Sequence, residues 1–346
     1  MSCLEVLSVG PRVQVQDLGR PGFHRYGVPE GGAMDRLACY ELAALLSHPA
    51  ETAVLEMAGF GGCFKIDAEQ VAFALAGAPI RAKLNDQPLE MNRCYRASKG
   101  DRLDLAAVEN GLYSYLGVKG GFQLPRVLNA RSTHDRARIG GLHGRNLNTG
   151  DRLPLEEARQ ELVLKRILPI DRFAKDVIRI VWGPQHDMFP DSERQRFLNT
   201  RYTVDRRVNR MGARLSSADA PLQAEGHLSG VSDAVAEGDI QIPGDGYPAV
   251  LLADRQTTGG YPRIATVITA DLPRMAQRAP GSPVRFELVD IGTAITALKE
   301  MHSAIHTLTS HLQPIVRNPA DMTDLHEYDL TSGATADELL PWETKK

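Results

Sequence analysis

Apolar and polar residues alternate through residues 4–16, with Gly10-Pro11 in the middle. Alternation puts every second side chain on one face of an extended chain, so this stretch predicts two short strands around a turn. The pattern then changes. A glycine-rich stretch covers residues 19–32, after which Met34, Leu37, Ala38, Leu42, Leu45 and Leu46 recur at helical spacing until Pro49. Proline disfavours helical geometry at the residue before it, so the helix is expected to stop there. Residues 54–164 read mostly as strand, with 71–75, 80–84, 103–105 and 113–118 separated by Gly, Pro, Asn and Asp. Many short strands with turn residues between them favour a barrel or sandwich over alternating strand–helix units.

The second half repeats the theme. The charged stretch 156–176 lacks turn motifs and reads as a link between two halves. A strand follows at 178–182. Ser192 with Gln195 three residues on is a capping-box pattern, opening a short helix to Leu198. Short strands continue to Thr269, a second short helix begins near Asp271, and 284–288 forms a closing strand after the Pro280-Gly281 turn. Ile295, Leu298, Met301, Ile305, Leu308 and Leu312 make one face of a last helix ended by Pro314. The acidic tail beyond it reads as a frayed terminus; Leu339, Leu340 and Trp342 offer an apolar plug if it docks to a partner instead.

A chain of 346 residues corresponds to about two domains at about 150 residues each. Its 40 basic and 43 acidic residues, a net charge of −3, lack the basic excess of a nucleic-acid binder. There is no apolar run of membrane-spanning length and no charged-then-apolar leader, so no membrane is expected and the location is read as cytoplasmic. Cys3, Cys39, Cys63 and Cys94 contain no C-x-x-C pair and are read as buried thiols rather than a metal cluster. His134-Asp135 and His186-Asp187 are neighbours in sequence, which does not put them on one face, so no metal site is assigned. His302 and His306 are read as a solvated helix surface. Phosphate-loop, nucleophile-elbow, zincin and strand-linked dinucleotide motifs are missing.

Three segments combine glycine with directed polar groups. They are 16–22 with 31–35, 183–187 with 209–212, and Gln241-Ile242-Pro243 with 254–262. Glycines allow close backbone approach, and arginine offers a planar fork for a carboxylate. Thr257, Thr258, Gly259 and Gly260 in one turn would offer two hydroxyls and open amides to a carboxylate, phosphate or oxyanion. Each segment also has a plainer reading. Asp17 to Arg20 can be a turn braced by an internal salt bridge, Asp35 a helix cap, and the Thr-Thr-Gly-Gly run a hairpin connection.

Further residues carry a resemblance. These are residues 15–22, Gly32-Ala33-Met34-Asp35, Ala53-Val54-Leu55-Glu56 and 115–121 in the first half. Gly140-Gly141 through Gly144-Arg145, Gly183-Pro184-Gln185 with Asp187, Arg210-Met211-Gly212 and 254–262 continue the series. In that order, over residues 3–290, the chain resembles the carboxyltransferase-like family. This family includes the C subunit of bacterial 5-oxoprolinase, KipA, the second subunit of allophanate hydrolase and the urea carboxylase carboxyltransferase domain. The chain departs from the family pattern at Gly32, at Asn209 where a carboxylate is common, and at Asp233 where Glu is common.

The resemblance implies a mainly β fold with a few helices, as two cyclophilin-like β-barrel subdomains with a cleft between them. The expected bounds are 1–165, 176–292, and a C-terminal helix and polar tail at 293–346. It implies a hydrolase subunit opening 5-oxo-L-proline to L-glutamate with ATP, beside a B-type (KipI-like) and an A-type (LamB/YcsF-like) subunit. The alternatives are carboxyl transfer from carboxybiotin to urea or a similar amide, and a KipA-like regulatory binding protein. Under the first reading, Arg20 or Arg210 would hold a substrate carboxylate, and Asp17, Asp35 or Asp254 would handle protons. Thr257 and Thr258 would stabilise developing charge, with Gln241, Gln256, Gly259, Gly260 and Tyr261 as the ligand-binding set. No nucleotide loop and no Met-Lys-Met acceptor is present, so ATP would come with partner subunits and biotin on another chain.

Overall fold

The N-terminal alternation does build two strands, Cys3–Val9 and Val13–Gln16, but they enter different sheets. The computed structural model describes residues 2–156, 163–173, 176–224 and 232–315. A six-stranded sheet runs in the order Arg152–Pro154, Cys3–Val9, Phe60–Asp67, Arg102–Val108, Ile80–Leu84, Gln87–Pro88. A five-stranded sheet runs Val13–Gln16, Val54–Ala58, Tyr113–Val118, Gln70–Gly77, Cys94–Ser98. One apolar core joins Leu4, Val6, Phe64 and Leu103 of the first sheet to Val15, Leu55, Leu75 and Leu116 of the second.

Register decides the other face of the five-stranded sheet. Val15, Leu55, Leu116 and Leu75 pair in one row across it, and the neighbouring row is Gln14, Glu56, Tyr115 and Ala76. Successive residues of a strand point to opposite faces, so the apolar row lies in the core and the polar row on the reverse side. That reverse side is not left to solvent: Gln14, Gln16, Glu56, Tyr113 and Tyr115 are all buried. Alternation alone would have placed the two glutamines outward.

The second half closes into a seven-stranded barrel. Its order is Val177–Trp182, Arg263–Val267, Asp239–Gln241, Ala249–Leu251, Gly212–Ser216, Tyr202–Val204, Pro283–Leu288. The parallel pairing of Val177–Trp182 with Pro283–Leu288 completes the ring and removes the free edges. The mainly β class and the barrel read from the sequence are therefore present.

Helix α1 (Arg36–Leu46) contributes Ala38, Leu42 and Leu45 to an apolar cluster that continues into Ile180, Ile240, Val250 and Ile264 of the barrel. Helix α2 (Asp191–Asn199) lays Phe197 on Tyr202 and Phe286. Helix α3 (Leu272–Ala276) and helix α4 (Ile291–Thr307) follow at the expected places. His302 and His306 are exposed, and the four cysteines are buried and unpaired. No helix among the described residues is long and apolar enough to cross a membrane.

Several local expectations change. The capping box at Ser192 and Gln195 is not used: α2 begins at Asp191 behind Pro190, and no side chain caps it. Asp35 sits at the N-cap of α1 but accepts no cap bond, because its carboxylate faces Arg172 instead. Thr258–Gly259 is not a turn; it pairs with Asp233–Ala234 as a short ribbon. The expected link contains a strand, Lys165–Arg166, and Arg166 Nε donates to Gln313 Oε1 at 3.0 Å. Link residues 157–162 and 174–175, and the tail from 316 with Leu339, Leu340 and Trp342, lie outside the described residues.

The glycine-rich loops pack backbone to backbone. The Arg20 amide donates to the Glu30 carbonyl and the Ala33 amide to the Asp17 carbonyl, each at 2.8 Å. Gly32 has φ +87°, and a Cβ there would lie 2.8 Å from the Gly19 nitrogen. Gly22 has φ +88° with nothing within 4 Å of its missing Cβ. Both share a backbone that L-residues avoid, and only Gly32 adds overlap. Gly22→Ala is therefore expected to cost about 1–2 kcal/mol, and Gly32→Ala about 1–3 kcal/mol more, read by urea unfolding. Equal losses would show that the loop contact contributes nothing.

Candidate functional site

Arg210, from the barrel half of the chain, reaches the polar face of the five-stranded sheet at Glu56. Arg210 stands in a tight turn where Asn209 Oδ1 accepts the Met211 amide at 2.8 Å. Asparagine and aspartate both hold such a turn with a side-chain oxygen, so the departure at Asn209 keeps the turn and removes a negative charge from beside Arg210. The Arg210 fork takes both oxygens of Asp254, Nε to Oδ2 at 2.7 Å and Nη2 to Oδ1 at 2.8 Å. Its Nη1 donates to Glu56 Oε1 at 2.5 Å and its Nη2 to the Gly32 carbonyl at 2.7 Å. Glu56 Oε2 accepts from the Met34 amide and the Tyr115 hydroxyl, both at 2.8 Å. Burial opposes the Arg210 charge, but Asp254 and then Glu56 outweigh it and hold the pKa well above the usual arginine range.

These groups floor a cleft of about 330 Å³. Gln14, Glu56, Tyr113 and Asp254 are its buried lining, whereas Arg12, Asp135, Arg136 and Asn209 are exposed at its mouth. The Tyr113 hydroxyl has no hydrogen-bond partner among the described residues. Burial, and then Glu56, push its pKa up, so it keeps its proton as a donor. An uncommitted phenol beside a braced arginine–carboxylate set suits a ligand oxygen that gains negative charge.

Asp17 and Arg20 lie outside this lining. Asp17 braces its turn through the Gly19 amide at 2.8 Å, the Arg131 amide at 2.5 Å and the Ser132 hydroxyl. With Gly19, Arg131 and His48 it borders a separate cavity of about 530 Å³. Arg20 is fully buried; Nη2 donates to the Ser132 carbonyl at 2.5 Å, while Nε and Nη1 have no partner among the described residues. His134 is buried too. Its Nδ1 accepts the Ala137 amide at 3.1 Å, which leaves the proton of the neutral ring on Nε2, a nitrogen without a partner among the described residues. Burial lowers the His134 pKa, with Asp254 opposing and Arg20 and Arg210 reinforcing. Arg20 and His134 thus share the electrostatic surroundings of Asp254 without lining the cleft.

Asp35 belongs to a different cluster. Arg172 donates to it at 2.5 Å and grips Glu41 with both terminal nitrogens at 2.7 Å, and Gln277 Nε2 reaches Asp35 at 2.8 Å. The remaining candidates gather at the ribbon on the barrel. Gln256, Thr258 and Tyr261 are exposed, Thr257, Gly259 and Gly260 are half-buried, and Gln241 is buried, its amide nitrogen without a partner among the described residues. Arg263 ties that ribbon through Asp233, the Ala234 carbonyl and Gln185. Of the residues singled out from the sequence, Arg210 and Asp254 meet in the cleft. Glu56 and Tyr115 stood in the segments that carry the resemblance and His134 was weighed only as a metal ligand, none with a role in this cleft; Gln14, Tyr113, Arg12 and Arg136 were not singled out. For Glu56 a signal existed: a charge inside the apolar strand Val54–Ala58.

Residues 26–288 match the family described as "Carboxyltransferase domain, subdomain A and B". The chain belongs to this family. Among its curated relatives, the 5-oxoprolinase C subunit of Haemophilus influenzae is 35% identical over 84% of this chain and 93% of its own length. The corresponding Escherichia coli protein is 33% identical over 89% and 98%. Urea amidolyase of Lachancea kluyveri is 28% identical over 88% of this chain but 18% of its own length. The crystal structure of Kluyveromyces lactis urea carboxylase superimposes with a TM-score of 0.79 at 25% identity. It covers 92% of this carboxyltransferase-domain chain, which spans 31% of that larger one.

Removing Arg210 from this carboxyltransferase-domain protein strands two buried carboxylates. Arg210→Met is expected to lose about 3–5 kcal/mol of stability at neutral pH, as for a broken buried ion pair. Urea unfolding curves check the loss, and Glu56→Gln added to Arg210→Met is expected to restore part of it, because one of the two unpaired buried charges is then gone.

Proposed function

We propose that this carboxyltransferase-domain protein is a subunit of a 5-oxoprolinase. It would take part in the ATP-dependent opening of 5-oxo-L-proline to L-glutamate beside A-type and B-type subunits. The observation that carries this reading is coverage: the chain matches the 5-oxoprolinase C subunits over nearly the whole of both partners. Against urea amidolyase it matches a small part of a much longer chain. A cleft of about 330 Å³ also suits a small cyclic amide.

The residues divide the work as follows. Tyr113 donates to the amide oxygen as its negative charge grows. Asp254 and Glu56, held in place by Arg210, accept hydrogen bonds from the amide nitrogen side or hold a water for attack on the carbonyl carbon. Gln14 orients the ligand from the floor. ATP supplies the driving force when bound, and these residues do not suit its phosphates. The glycine-rich approach to α1 would be the natural anion site, but the three amides leading into the helix are spent. Ala33 donates to the Asp17 carbonyl, Met34 to Glu56 and Asp35 to Tyr115. The nucleotide is therefore assigned to the partner subunits.

Kinship with urea carboxylase favours a second reading, carboxyl transfer to urea or a similar amide with carboxybiotin brought by another chain. The two readings separate in one assay. The assembled subunits are expected to release glutamate from 5-oxo-L-proline only with ATP. Tyr113→Phe is expected to lower kcat by about 10²–10³-fold, the usual loss of one oxyanion donor, with little change in unfolding midpoint. No glutamate from a demonstrably assembled complex overturns the oxoprolinase reading and directs the assay to carboxybiotin and urea.

A further inference from the structure

We infer that Arg12 and Arg136 together receive the carboxylate of the ligand, which makes the cleft a site for a small molecule with a carboxylate at one end and an amide at the other. This rests on the oxoprolinase reading for the identity of the ligand, but its geometry stands on the cleft itself.

The other arginines are excluded by their partners or their burial. Arg210 already spends its fork on Asp254 and its remaining donors on Glu56 and the Gly32 carbonyl. Arg20 is fully buried and does not line the cleft. Arg12 and Arg136 differ from both. They line the cleft, are exposed, and have no carboxylate within 4.0 Å among the described residues. Each is steadied at one nitrogen only. Arg12 Nη1 donates to the Val208 carbonyl at 3.3 Å, and Arg136 Nη1 touches the Met211 sulfur at 2.8 Å, a weak acceptor. Both contacts fall on the segment that carries Arg210. They hold the two side chains over the cleft and leave most of each guanidinium uncommitted.

Charge gives the ligand a direction. On the floor, Arg210 faces Glu56 and Asp254, one cation against two anions. At the mouth, Arg12 and Arg136 face Asp135 alone, two cations against one anion, and Asp135 is in contact with Asn146 at 3.5 Å. The cleft is neutral in sum and polarised from mouth to floor. A ligand carboxylate belongs at the mouth, where arginine's planar fork matches it. An amide N–H belongs at the floor, against the carboxylates. A neutral amide such as urea would leave both mouth arginines unanswered.

The test is equilibrium binding of the full chain, by calorimetry, to 5-oxo-L-proline and to 2-pyrrolidinone, the same ring without the carboxylate. The chain is expected to prefer 5-oxo-L-proline by about tenfold or more, the discrimination of one charge-assisted contact. Arg12→Met and Arg136→Met are expected to abolish most of that preference. Their affinity for 2-pyrrolidinone and their unfolding midpoints should stay near those of the parent. Arg12→Lys and Arg136→Lys, which keep charge without the fork, are expected to retain part of it. A preference that survives both methionine variants overturns the assignment, because other residues then hold the carboxylate. No preference, or no binding of either ring, overturns it as well. Glutamate release by the assembled subunits separates this from the wider reading. Turnover with an unaltered preference in the variants sinks the arginine pair alone. A preference lost in the variants, with no turnover in the complex, upholds the carboxylate site and sinks the oxoprolinase reading.

Discussion

The cleft depends on one guanidinium. Arg210 lies in the second half of the chain, yet its nitrogens end on Glu56 of the first-half sheet, on the Gly32 carbonyl of the glycine loop and on Asp254 beyond the barrel strand Ala249–Leu251. Three segments far apart in sequence are thereby fixed relative to one another. A largely shielded arginine held by two buried carboxylates is costly to desolvate and tolerates a missing partner poorly. The same burial that penalises a broken pair also holds the intact set in one geometry. The two carboxylates meet the ligand already oriented.

What brings Glu56 to that point is the five-stranded sheet, which is covered on both faces for different reasons. Its apolar row closes the N-terminal core, and its polar row supplies Glu56 and Tyr115 to a hydrogen-bonded interior and Gln14 to the cleft lining. The hydroxyl of Tyr115 links Glu56 to the Asp35 amide, and so couples the sheet to the start of α1. Burial, and then Glu56, raise the Tyr115 pKa, so this link stays a protonated donor. The Arg172, Glu41 and Asp35 cluster lies at that same helix start. Burial raises the Glu41 pKa despite the arginine. Structural ion pairs and cleft residues thus share a short stretch of chain, which explains why both kinds look alike in the sequence.

The glycine loops show how form and site are joined. Gly32 sits against the Leu18–Gly19 backbone and Gly19 against that of Glu30 and Gly31, both at positive φ, so their role is close packing rather than contact with a ligand. That packing delivers the Gly32 carbonyl to Arg210 and the Met34 amide to Glu56. A side chain at either glycine would move the floor of the cleft without touching a ligand.

Much of this protein is written locally. Alternation at 4–16 and periodicity at 34–46 produce the strands and helix they predict, because period and turn chemistry act over a few residues. The ordered polar segments pointed to Arg210 and Asp254. Other features depend on what lies across the fold. Gln14 and Gln16 are the polar members of an alternating strand and are nevertheless buried, Asp35 reads as a cap and pairs with Arg172, and Ser192 with Gln195 reads as a capping box that α2 does not use. Thr258 reads as part of a turn and instead pairs in a ribbon with Ala234. Arg12 and Arg136 carry no local signal at all. They matter because the barrel sets the Val208 and Met211 segment over the sheet, which leaves their charge unpaired above a paired floor. The elements and the family pattern follow from the order of residues along the chain. Which charges are matched, and which remain for a ligand, follows from the folded arrangement, because pairing is a property of distance across the fold and not of spacing along the chain.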